Sequence, residues 1–131
     1  MSKLYAPKEY WLLTPQQKAD ICNGCGAKGG IKVPNTMYKL NIKEACNIHD
    51  FMTAKGITLV DFLFSAGMFI FNLTMIIWYG SSNKFMLTLR LARASKYFIA
   101  VVVFGLEHYF KDKKRNVENY ISYKGEFRWK N

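Results

Sequence analysis

The sequence predicts an all-α domain, and three observations carry that expectation. Three stretches open with residues that favour a first helical turn: Thr14-Pro15, Asn41 with Glu44 three positions on, and Thr58. Phe62 to Tyr79 is a run of 18 residues without a formal charge. Half of the 131 residues are apolar, enough for one real core in one domain spanning 1–131.

Thr14 is the expected cap of a helix that runs through Gln16–Ile21 and breaks near Asn23-Gly24. The stretch from there to Pro34-Asn35 holds four glycines and no regular pattern, so it reads as a loop. Asn41 then caps a helix that carries Ala45, Cys46, His49 and Thr53 down one side and stops at Gly56. Thr58 caps a long apolar helix to about Tyr79, and Thr58-x-x-Asp61 is itself a capping-box variant. The link between these two helices is short, which favours antiparallel neighbours. Gly80-Ser81-Ser82-Asn83 is a turn, and a third long helix runs from Lys84 toward Lys111 with Gly105 as its weak point. The tail from Tyr120 to Trp129 alternates around Lys124-Gly125, giving a small C-terminal hairpin or an irregular tail.

The net charge is +10, which favours an anionic partner: nucleic acid, acidic lipid headgroups or an acidic protein. Arg90, Arg93 and Lys96 share a helix face by their spacing, and Lys111-Asp112-Lys113-Lys114-Arg115 adds a second cluster. No groove-reading motif accompanies the charge, so no specific nucleic acid is expected. Met1 to Pro7 lacks a charged head leading into an apolar run, so no secretory signal peptide is expected. Phe62–Tyr79 just meets the length of a membrane span, but a buried core helix is the favoured reading.

The chemistry concentrates in Cys46-Asn47-Ile48-His49-Asp50, behind the glycine-rich Cys22-Asn23-Gly24-Cys25-Gly26-Ala27-Lys28-Gly29-Gly30. Adjacent residues leave a helix about 100° apart. His49 can therefore face a reacting water while Asp50 faces a cation held by the loop. Asp61, in the next helix, is a candidate to orient the imidazole, although its depth differs from that of His49 by roughly a turn. The same region admits a zinc reading through Cys22, Cys25, Cys46 and His49, which leaves Asp50 idle. Three cysteines make an odd count, so at least one thiol lacks an internal partner.

Cys46-x-x-His49-Asp50, preceded by Cys25-Gly26 and a glycine-rich loop, resembles the secreted phospholipase A2 superfamily. Asp61-x-x-Phe64-x-x-x-Met68 is similar to the second catalytic helix of its microbial and phage branch, and the resemblance covers about residues 21–70. It implies two antiparallel core helices with a glycine-rich calcium loop, and calcium-dependent hydrolysis of a glycerophospholipid acyl ester. His49 would be the general base and Asp61 would hold its other ring nitrogen. Asp50 would bind Ca2+ with carbonyls of Gly24, Gly26 and Lys28, and Gly26 N–H would meet the oxyanion. Cys25 and Cys46 would form a disulfide. The loop has one residue more than the family pattern, which makes Gly29 an alternative to Lys28, and Thr53 replaces the usual tyrosine.

The resemblance implies a partner, an anionic phospholipid membrane surface, reached in a membrane-associated or a released, virion-associated state. Tyr5, Tyr10, Trp11, Phe127 and Trp129 are the aromatics expected to seat among headgroups. The competing reading is a non-enzymatic membrane or virion protein on a phospholipase-like scaffold, in a homo-oligomer or particle.

Overall fold

The computed structural model describes residues 4–22, 34–56, 58–113 and 127–130, the stretch 107–113 as helical backbone only. The domain is mostly helical, as the sequence predicts. Its elements are β1 (Tyr5–Pro7), α1 (Lys8–Trp11), α2 (Pro15–Ile21), β2 (Thr36–Met37), β3 (Leu40–Asn41), α3 (Lys43–Lys55), α4 (Leu59–Gly80), α5 (Lys84–Lys113) and β4 (Phe127–Trp129).

Local chemistry explains the helix starts. Thr14 and Gln17 form a reciprocal capping box at α2, and Thr58 and Asp61 form another at α4. The start of α3 differs from expectation. Its cap position is Ile42, which offers no side-chain bond, and Asn41 Oδ1 instead accepts from Lys43 N at 2.9 Å. Glu44 does not reach back to close a box, because Lys18 and the Tyr10 hydroxyl hold its carboxylate. Gly105 does not break α5, which is continuous for 30 residues.

Helix α4 lies between α3 and α5. Its N-terminus follows the end of α3, and its last residue, Gly80, approaches Leu40 just before the start of α3, so α3 and α4 run in opposite directions. A side chain at 80 would have to displace the Leu40 methyl groups. Gly105 of α5 sits beside the Phe62 ring near the start of α4, which makes α5 antiparallel as well. The buried face of α4 comprises Phe62, Ser65, Ala66, Met68, Phe69, Asn72, Leu73, Ile76 and Ile77, at helical spacing. Each apolar side chain fully buried there contributes roughly 1.5–3 kcal/mol.

Two small sheets brace the helices. β2 and β3 pair through a two-residue turn, Tyr38-Lys39, with φ of 47° and 69°. Positive φ at both positions is the geometry that matches strand twist in tight hairpins, and neither residue is glycine. Arg90 compensates. It is 8% exposed, and its guanidinium donates to Tyr38 O (2.6 Å), Gly80 O (3.1 Å) and Ser81 Oγ (2.9 Å). Arg90 therefore leaves the basic surface that its spacing with Arg93 and Lys96 suggested.

β4 pairs antiparallel with β1, with Tyr5 opposite Trp129. The tail thus closes on the N-terminal strand, and the rest of the expected C-terminal hairpin, 120–126, lies outside the described residues. Buried Asn72 clamps this ribbon to α4, accepting from Tyr5 N at 2.8 Å and donating to Tyr5 O at 2.9 Å.

Candidate functional site

α3 presents its chemical residues in one turn. Ala45, Cys46, Asn47 and Ile48 are buried, and His49 and Asp50 are partly exposed. His49 Nε2 itself is sealed from solvent and has no hydrogen-bond partner among the described residues. The ring lies against Phe69 of α4, centroids 5.0 Å apart and planes at 42°. Burial lowers the imidazole pKa to about 4, so the side chain is neutral at physiological pH and Nε2 is an unused buried atom.

Asp61 serves the start of α4. Its Oδ2 accepts from Thr58 N at 3.1 Å in the α4 capping box. Phe69, the residue that faces His49, lies eight positions beyond Asp61, roughly 12 Å along the helix axis. Thr53 Oγ1 donates to Asp50 O at 3.0 Å.

Burial first, and the Asp50 charge next, push the Cys22 thiol up to about 12. That thiol donates to Asn47 O at 3.2 Å. Asp50 follows by about one helical turn the carbonyl that holds Cys22, and Cys22 is the last described residue before 34. Cys25, Gly24, Gly26, Lys28 and Gly29 lie outside the described residues, as do the loop and its carbonyls. Among the described residues no three His, Cys, Asp or Glu side chains cluster for a metal. The zinc reading fares poorly, because Cys46 is disulfide-bonded and Cys22 is held as a thiol.

A second feature was not legible in the periodicity of the sequence. The outer face of α4 shows Val60, Leu63, Phe64, Phe71 and Trp78 to solvent, all at helical spacing and none charged. By length and composition α4 alone could cross a membrane, yet half of its most apolar window is buried inside the domain. Beside it the ribbon adds a run of touching rings: Phe64 to Phe127 at 5.2 Å, Phe127 to Tyr5 at 5.5 Å, Tyr5 to Trp129 at 4.8 Å, and Trp129 to Phe71 at 5.9 Å. Tyr5, Phe127 and Trp129 thus cluster at the surface. Tyr10 does not join them: it is 2% exposed and bonded to Glu44. Trp11 is half-buried and donates to Arg128 O at 2.9 Å.

No family model, curated protein or solved structure matches the chain.

Proposed function

We propose that the protein hydrolyses an acyl ester of a glycerophospholipid, with calcium, at an anionic membrane surface. The observation that carries this reading is the neutral Nε2 of His49, buried and unpartnered among the described residues, one residue from the Asp50 carboxylate. A neutral imidazole can accept the proton of an attacking water, which an imidazolium cannot. Because Nε2 is sealed at rest, a bound lipid must uncover it from Phe69. Asp50 and carbonyls of Gly24, Gly26 and Lys28 would hold Ca2+, which when bound supplies positive charge to a developing oxyanion. Gly26 N–H would add a hydrogen bond there, and a Cys25–Cys46 disulfide would tie the loop to α3. Asp61 serves α4 as a cap, so any help to His49 would require the cap to open.

The exposed rings of Phe64, Phe71, Trp78 and Trp129 are suited to the headgroup layer, and each basic residue near an anionic surface adds roughly 1 kcal/mol. The uncharged outer stripe of α4 also favours a second reading, a non-enzymatic membrane or virion component in which α4 is buried by lipid or by another copy. Fatty-acid release from anionic vesicles, with calcium and then with a chelator, separates them. Calcium-dependent release lost in Asp50→Asn, with folding retained, supports hydrolysis. No release, with extraction only by detergent, supports the second reading.

A further inference from the structure

Away from His49, a cleft of about 490 Å³ opens between α1, the start of α2, the first turn of α3 and β4. Its walls include Lys8, Lys18, Arg128 and Lys130 with Trp11 and Trp129. Four cations thus face one carboxylate, Glu44, whose Oε1 already accepts from Lys18 Nζ and Tyr10 Oη, both at 2.8 Å. Lys8 and Lys130 are in no ion pair among the described residues. Cations gathered in a concave wall repel one another and concentrate a field that an anion relieves.

Trp129 says which kind of anion fits. Trp129 lines the cleft, and its ring contacts Tyr5 and Phe71 in the exposed aromatic cluster. The cationic cleft therefore opens at the border of an apolar aromatic surface. That juxtaposition matches a phosphate joined to a hydrophobic body, the phosphate among the lysines and the body against the rings. We infer that this cleft seats the phosphate of an anionic phospholipid headgroup. His49 and Asp50 are not among its walls, so the inference stands apart from the hydrolytic reading.

The test is sedimentation with phosphatidylglycerol-containing vesicles. Lys8→Gln/Lys130→Gln is compared with Lys84→Gln/Lys96→Gln, which removes equal charge from exposed positions of α5, and circular dichroism confirms folding of both. At about fivefold per basic residue, the cleft pair should lose about tenfold or more in vesicle affinity and the α5 pair less than about threefold. Equal losses would assign binding to the diffuse +10 field and overturn the inference, as would unchanged binding by the cleft pair. Sodium phosphate should displace the wild-type protein from vesicles better than sodium chloride at matched ionic strength. Saturation of the tryptophan response by inorganic phosphate, with no vesicle binding, would identify a free phosphate site and overturn the lipid assignment.

Discussion

His49 lies on Phe69, with ring centroids 5.0 Å apart, while the carboxylate of Asp61 closes the cap of α4 about a dozen ångströms away along that helix. Nε2 of His49, the residue that the resemblance makes a general base, is buried beside the Phe69 ring with no hydrogen-bond partner among the described residues. The imidazole pKa is lowered by burial, which disfavours the charged form.

Acid should destabilise the fold earlier than carboxylate titration alone would. The folded pKa of His49, about 4, lies below its ordinary value of 6.5, so between those values the unfolded chain binds a proton that the folded chain refuses. Stability should fall by up to about 3 kcal/mol as pH drops from 6.5 to 4, and should be flat in this group above 6.5. Glu44 acts later: hydrogen bonds from Lys18 and Tyr10 outweigh the burial that would raise its pKa, and the net shift is downward. Urea midpoints across this range should fall in the wild type and flatten in His49→Gln. A wild-type profile level down to pH 5 would contradict the buried neutral imidazole.

Arg90 and the Tyr38-Lys39 turn make a paired prediction. Arg90→Lys keeps charge but loses the fork that reaches three acceptors, and should cost about 2–4 kcal/mol. Lys39→Gly relieves a positive φ of 69° and should stabilise by about 1 kcal/mol. Thermal melts of the two variants should move in opposite directions.

Asn72→Ala should strip both Tyr5 main-chain groups of their partner, at about 1–3 kcal/mol for each group left buried. The ribbon that carries Trp129 would loosen, and tryptophan emission should shift to the red. Thr74→Ala, two residues on and exposed, should stay within about 0.5 kcal/mol of the wild type.

Cys22 should be inert in the folded protein. With its pKa pushed to about 12 it is protonated at pH 8, and its Sγ is engaged with Asn47 O. Mass spectrometry after iodoacetamide treatment should find Cys22 unmodified in native protein and alkylated in urea. Rapid native alkylation would contradict the burial.

Helices were the legible part of this chain because their signals are local. Thr14 and Thr58 act on backbone groups three residues away, and the structure shows both boxes. The β2–β3 turn was hidden because its left-handed residues are Tyr38 and Lys39, not the Asn-Gly pair that advertises such turns. Arg90 was misread as surface charge because its acceptors sit 9, 10 and 52 residues away. The closure of β4 onto β1 is likewise a pairing of chain ends, for which alternation in the tail offers no partner. At the site, adjacency of His49 and Asp50 in the sequence correctly placed them on one turn of α3. The distance from His49 to Asp61 depended on helix register, which spacing left open by a turn.

The most direct measurement is fatty-acid release from anionic phospholipid vesicles by wild type and His49→Gln, each with excess calcium and with chelator. The proposal requires calcium-dependent release by the wild type, lost by at least about a hundredfold in a variant that remains folded and still sediments with vesicles. Equal release by both proteins, or none from a folded wild type that binds the vesicles, would contradict a catalytic His49. The latter outcome would leave the cleft and aromatic face as an attachment surface.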